Sequence, residues 1–107
     1  MRWVLGCIAV FLFAFGAHAG EIYVNDDRLP ELSVDTVVVL YFDADWCPYC
    51  QQFRPTWDAV ANDPMYRASA TFVRINIDTA KTLKTRFKIR GVPMLVRRSY
   101  PSVLQTH

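Results

Sequence analysis

Val39-Leu40-Tyr41-Phe42-Asp43-Ala44-Asp45-Trp46-Cys47-Pro48-Tyr49-Cys50 is the stretch on which the reading of this chain turns. It joins an apolar, β-branched run to two cysteines separated by two residues. Residues 36–42 carry almost no polar side chain, the pattern of a strand buried on both faces of a sheet. A helix is expected from Cys47 onward. Pro48 suits the first helical turn, where its missing N–H removes no ladder bond. Phe53, Trp57, Val60 and Ala61 then recur at helical spacing, so that face packs on the sheet and Trp57 belongs to the core. Pro55 falls inside this helix and kinks it, and Asn62-Asp63-Pro64 ends it.

Working outward, residues 70–78 read as a second strand, with Phe72, Val73, Ile75 and Ile77 apolar. Residues 79–87 read as a helix with Leu83 and Phe87 one turn apart. Gly91-Val92-Pro93 is a punctuated turn before a third strand at 94–96. Upstream, Ile22-Tyr23-Val24 makes a short strand and Asn25-Asp26-Asp27 a turn. Tyr66 is placed in a short turn, and beyond Arg98 no regular pattern is legible. Strand–helix–strand alternation implies an α/β sheet, with right-handed crossovers and parallel pairing of at least the first two strands. The cysteines then lie at the carboxyl end of a central strand, where open α/β sheets place their sites.

A chain of 107 residues is one domain. Its hydrophobic content is 52%, but part of that sits in a different kind of segment. Met1-Arg2 is a short basic start, Val4 to Phe15 is apolar, and Ala17-His18-Ala19 matches a signal-peptidase site. The apolar run is shorter than the ~20 residues a spanning helix needs. Residues 1–19 are therefore expected to be a cleaved signal peptide, with an uncleaved anchor as the alternative, and residues 20–107 the exported domain. Cys7 precedes most of the apolar run, which disfavours its lipidation. Its removal leaves Cys47 and Cys50 as the sulfur pair of an exported protein, in a compartment where disulfides persist. The C-terminal Leu104-Gln105-Thr106-His107 is no endoplasmic-reticulum retention signal, which favours a periplasm.

Charge is segregated. All ten acids lie between Glu21 and Asp78, while Lys81, Lys84, Arg86, Lys88, Arg90, Arg97 and Arg98 form a block without an acid. That block reads as a solvated helix face plus a basic strand end, with attraction for an acidic partner or lipid headgroups as the alternative. No nucleic-acid module is recognisable.

The thiolate is the reactive form of cysteine, and a free thiol near pKa ~8.5 is mostly protonated at neutral pH. Cys47 at a helix N-terminus meets unpaired N–H groups and the positive end of the dipole, so its pKa is expected to fall. It is read as the exposed, attacking sulfur. Cys50, one turn further in, is read as the buried sulfur that resolves a mixed disulfide. Pro48 and Tyr49 tune the redox poise, and Trp46 either flanks the substrate or packs. A structural zinc site needs four ligands; with residues 1–19 removed, the only further candidate of that kind is His107. An inert structural disulfide over so short a loop constrains little of the unfolded chain. Asp43 and Asp45 read first as solvated loop acids. No cofactor is called for.

Trp46-Cys47-Pro48-Tyr49-Cys50 with Pro55 downstream resembles the thioredoxin superfamily, and Arg74-Ile75-Asn76-Ile77-Asp78 resembles its following strand. Ile89-Arg90-Gly91-Val92-Pro93 resembles the segment that carries its cis-proline. The resemblance covers residues 36–97. It implies a thioredoxin-like central sheet with flanking helices, a cis Val92–Pro93 bond beside the cysteines, and substrate backbone pairing next to Pro93. Cis peptides are nearly confined to X–Pro bonds. Ala44-Asp45-Trp46-Cys47 is most similar to exported thioredoxin-like proteins and to the periplasmic domain of transmembrane disulfide reductases. Pro48-Tyr49 is more similar to glutaredoxins and to oxidising periplasmic enzymes.

Two departures stand out. Tyr41 occupies the position of the family's buried Asp, and Arg74 replaces the accompanying Lys. Asp43 lies on the same strand face as Tyr41 and is the candidate substitute proton acceptor. The family also continues after the cis-proline with a hairpin and a closing helix, whereas only residues 97–107 follow Val96. A C-terminally shortened sheet with one uncovered face is therefore expected. The function expected is thiol–disulfide exchange with exported proteins, served by a redox partner such as a membrane disulfide reductase and with no stable membrane span after cleavage. A dedicated reductase arm for cytochrome maturation or another exported thiol protein is one alternative, and a non-catalytic binding module or fragment is another.

Overall fold

A computed structural model describes residues 20–105. The expected signal peptide, Cys7 and His107 lie outside them. Strand β1 (Ile22–Val24) is followed by β2 (Val37–Asp43), helix α1 (Pro48–Ala61) and helix α2 (Pro64–Ser69). Strand β3 (Thr71–Asn76), helix α3 (Lys81–Arg86), strand β4 (Met94–Ser99) and a 3-10 turn (Ser102–Gln105) complete the order. The sheet runs β1-β3-β2-β4, with β3 parallel to both β1 and β2, and β4 antiparallel to β2.

The parity of β2 divides the core. Val39 and Tyr41 face α1 together with Phe72 and Arg74, their matches in register on β3, and Asp43 follows on the same face of β2, opposite Asn76. The Tyr41 ring lies 4.9 Å from Trp57 and 5.3 Å from Phe53, and Trp57 lies 5.6 Å from Phe72. On the other face Val38, Leu40, Phe42, Val73 and Ile75 pack with Leu83, Phe87 and Ile89. Complete burial of such side chains stabilises by about 1.5–3 kcal/mol each.

Local chemistry sets the helix ends. Cys47 is the N-cap of α1 and Pro48 its first residue, as the sequence implies, with Pro55 inside. Asp63 caps α2 through Oδ1, which accepts from the Met65 N–H at 2.9 Å. Tyr66 thus sits in a helix rather than a turn. No side chain of α3's own N-cap does this work. Instead Asp27 Oδ1, from the loop after β1, accepts from the N–H groups of Thr82 (2.9 Å) and Leu83 (3.2 Å). Capping from so distant a residue leaves no local mark.

Several boundaries differ from expectation. The second strand stops at Asn76, whose side chain accepts from the Asp78 N–H at 2.9 Å and turns the chain. Helix α3 is trimmed to Lys81–Arg86, with Lys88 at φ 56° just beyond its end. Strand β4 runs three residues further than the apolar signal, through Arg97, Arg98 and Ser99, because β2 supplies pairing partners for all of them. The tail is not patternless: Val103 is buried in the α3-side core. On the α1 side, Leu95 is 49% exposed beside half-buried Phe53, so part of that face stands open.

Candidate active site

Helix α1 starts at the sheet's carboxyl edge because Ala44-Asp45-Trp46 turns the chain out of β2, with the Cys47 N–H donating to the Ala44 carbonyl at 3.2 Å. Cys47 and Cys50 are joined as a disulfide, their Cα atoms 5.2 Å apart. The Cys50 N–H points at Cys47 Sγ from 3.1 Å. A helix N-terminal donor is thus aimed at the sulfur on which negative charge would develop when the pair is reduced, and the helix dipole adds to it. The Val92 carbonyl oxygen lies 3.6 Å from the same sulfur, and the Val92–Pro93 bond is cis. The Tyr100–Pro101 bond, which no sequence motif marks, is cis as well.

One expectation is corrected here. Cys47 is not exposed: as the disulfide it is 3% accessible, almost the same as Cys50 at 2%. The disulfide lies within the core cluster, against which Val92 also packs. Solvent reaches the rim instead, through exposed Pro48 and Tyr49 and through Trp46 at 64%. Trp46 is thus a flank of the site rather than a packing residue. Its Nε1–H donates to Asp78 Oδ2 at 2.9 Å, which fixes the ring at the rim.

Asp43 is not a solvated loop acid. Strand β2 persists to it, and its carboxylate is buried against Arg74, with Nη1 to Oδ2 at 3.0 Å. Arg74 Nε reaches Glu21 Oε2 at 3.3 Å, and Glu21 Oε1 accepts from Trp57 Nε1–H at 2.5 Å. The Arg74 guanidinium also lies 4.1 Å over the Tyr23 ring. Burial pushes the Asp43 carboxyl above its usual value, and the hydrogen bond and charge of Arg74 draw it only part of the way back. Burial opposes the charge on Arg74, yet the bond to Asp43 and the charges of Asp43 and Glu21 hold its pKa above the ordinary value. Asp45 remains exposed.

Tyr41 points its hydroxyl at the Cys50 carbonyl oxygen, 3.2 Å away. Burial first, and the neighbouring Asp43 charge second, push its pKa up to about 12. It therefore acts as a neutral donor and not as an acid–base group at neutral pH. A cavity of about 310 Å³, roomy enough for several waters, is lined by Asp43, Ala44, Asp45, Cys50, Gln51 and Arg54 and so brings the buried carboxylate and the second cysteine to one space. Among the described residues no three His, Cys, Asp or Glu side chains converge as metal ligands.

The structure thus brings Trp46, Cys47, Pro48, Tyr49, Cys50, Val92 and Pro93 to one rim, with Asp43 behind it. Sequence reading missed Glu21, which carries no local signal. It noted Arg74 only as a substitution, although strand parity places Arg74 and Asp43 on one face.

Comparison with known proteins follows the same lines. The chain is 30% identical over 84 residues to a protein disulfide isomerase-like protein of Oryza sativa, covering 78% of this chain and 19% of that one. It is 32% identical over 65 residues to a thioredoxin of Mycoplasmoides gallisepticum, covering 61% and 62% respectively. It therefore spans less than a fifth of the rice relative and under two thirds of the mycoplasma one. A thioredoxin from Halobacterium salinarum superposes with a TM-score of 0.56 at 27% identity, covering 76% of this chain and 71% of that chain. Spinach chloroplast thioredoxin f gives 0.65 at 24%, covering 76% and 73%. The thioredoxin family profile itself matches residues 24–100, most of the described domain, and the chain belongs to the thioredoxin family.

Proposed function

We propose that this protein is a thiol–disulfide oxidoreductase that exchanges disulfides with exported polypeptides through Cys47 and Cys50. The observation that carries the proposal is the Cys50 N–H aimed at Cys47 Sγ across 3.1 Å, with the cis-proline loop against the same sulfur. In the reducing direction the Cys47 thiolate attacks a substrate disulfide. One substrate sulfur leaves as a thiolate and a mixed disulfide forms. Cys50 then gives up its proton, attacks Cys47 Sγ and releases the second substrate thiolate, so two electrons have moved to the substrate. A dithiol protein partner returns them, and the oxidising direction is the reverse. Asp43 takes the Cys50 proton through the shared cavity, and the backbone at Val92 and Pro93 presents the substrate strand. Pro48, Tyr49 and Trp46 form the rim that tunes and receives.

Export to a periplasm rests on Val4–Phe15 and Ala17-His18-Ala19. No helix among the described residues is long and apolar enough to cross a membrane. N-terminal sequencing of the protein recovered from a periplasmic extract tests the reading, which requires Gly20 as the first residue. The activity is tested by insulin reduction with Cys47→Ser and Cys50→Ser. Cys47→Ser abolishes turnover, whereas Cys50→Ser accumulates the mixed disulfide; turnover persisting in Cys47→Ser would sink the proposal. The reduction potential of the pair separates an oxidant from a reductase arm.

A further inference from the structure

Strand β4 closes the sheet at one end, and among the described residues no strand pairs with its outer edge. An unpaired edge presents a row of N–H and C=O groups to any extended chain that can approach. The edge begins at Pro93, beside the disulfide. Its first half borders an apolar groove formed by Phe53, Pro93, Met94 and Leu95, with a volume of about 210 Å³. Its second half is basic on both faces. Strand parity puts Arg97 on the Leu95 side and Arg98 on the Val96 side, and both are exposed.

These charges choose the occupant. A second copy of this chain paired antiparallel through the same edge would set Arg97 and Arg98 against Leu95 and Met94 or against each other, and would offer them no carboxylate, because residues 81–98 contain seven bases and no acid. Like charges directly opposed destabilise a strand pair, whereas opposite charges stabilise it. Arg98 also covers part of the edge, since its Nη1 donates to the Arg97 carbonyl oxygen at 2.9 Å. A carboxylate that draws this guanidinium aside frees that carbonyl for a ladder bond.

We propose that the outer edge of β4 is a docking site for an extended segment of a partner polypeptide, added antiparallel, with acidic residues opposite Arg98 and Arg97 and apolar residues opposite Val96, Leu95 and Met94. In chain order the segment reads acid-acid-apolar-apolar-apolar. Its final residue arrives beside Pro93, so a partner cysteine just beyond would stand next to the pair. Docking itself needs no exchange and goes beyond the proposed activity.

The test uses the oxidised full chain and a cysteine-free, fluorescein-labelled peptide with the core Glu-Glu-Val-Ile-Leu, followed by fluorescence anisotropy. Binding is expected to weaken as salt is raised. Reversal of both charges in Arg97→Glu/Arg98→Glu weakens it about tenfold or more. A peptide of the same composition in reverse order, and one N-methylated at alternate backbone nitrogens, bind more weakly still. Reduction of a small aromatic disulfide by the double variant stays at the wild-type rate, which shows that the fold and the pair are intact. Binding indifferent to the charge reversal, to peptide direction or to N-methylation overturns the proposal, as does no binding at all. Self-association of the wild-type chain through β4 in sedimentation, relieved by Leu95→Lys, also overturns it by giving the edge to a second copy. Failure of insulin reduction with peptide binding intact would count only against the redox reading.

Discussion

The Tyr41 hydroxyl donates to the backbone carbonyl of Cys50 across 3.2 Å, so the central strand holds the second cysteine by its main chain. The carbonyl belongs to the first turn of α1, one residue before Gln51, whose own carbonyl loses its ladder partner to Pro55. Removing the hydroxyl in Tyr41→Phe keeps the ring against Phe53 and Trp57 and leaves a buried acceptor with one bond fewer. A loss of about 1 kcal/mol is expected. Because the phenol stays protonated to about pH 12, the loss should be the same from pH 5 to pH 9. Urea unfolding of both proteins across that range checks it; a loss that grows or vanishes with pH would contradict it.

Arg74→Leu leaves the Asp43 carboxylate buried without its partner, and breaking such a pair costs about 3–5 kcal/mol. The cost is expected at pH 7 and shrinks in acid, where Asp43 is protonated and no charge is stranded. Denaturation midpoints at pH 7 and pH 3.5 test this. Equal losses at both would show that the arginine acts through packing alone.

Asp43→Asn isolates the pH term. The folded-state pKa of Asp43 lies above the unfolded value of 3.8, so the folded state binds its proton more tightly. Its contribution to stability is therefore fully present below the unfolded pKa and is lost as pH rises through the folded one. The stability of the wild type relative to Asp43→Asn should fall across that acid window and then level off. A difference that rises with pH would reverse the sign and refute the assignment. In the same variant, resolution of a trapped mixed disulfide should slow at neutral pH if Asp43 receives the Cys50 proton. Resolution at the wild-type rate removes Asp43 from that role.

How much of this was legible beforehand depends on how local each signal is. The paired cysteines, Pro48, Pro55 and Val92-Pro93 mark themselves within a few residues, so the site rim was readable and the strand–helix alternation with it. Asp43 and Arg74 are far apart in sequence, and only the β2–β3 register makes them neighbours. Glu21 and Asp27 act entirely at long range, on Trp57, Arg74 and α3, and nothing around either residue announces it. A helix N-cap position suggests exposure for Cys47, whereas its disulfide with Cys50 lies buried among core residues, a packing that the motif itself does not mark.

Val103 tests the part of the chain that looked patternless. Its side chain is buried among the α3-side core residues, and truncation in Val103→Ala removes two methyl groups from that site. At ~0.8 kcal/mol per buried group plus a cavity contribution, about 2 kcal/mol should be lost. Thermal unfolding of the oxidised protein measures it. A loss under a few tenths would mean that the 3-10 turn lies on the surface without supporting the core.

Asp78→Ala releases the Trp46 ring without touching the sulfurs. Reduction of insulin should then show a higher KM, with reduction of a small disulfide unchanged. Equal effects on both substrates would place the indole in the chemistry rather than in substrate recognition.

Glu21 gives the opening of the domain a consequence of its own. One carboxylate closes the indole of Trp57 and steadies the guanidinium that faces Asp43, and it stands two residues past Ala19. Removal of the chain through Glu21 would erase it, leaving a protein with both cysteines intact but without the contacts that Glu21 makes to Trp57 and Arg74. Two preparations of the same gene product, differing by a pair of amino-terminal residues, would then differ in stability and in proton handling while giving identical thiol titrations.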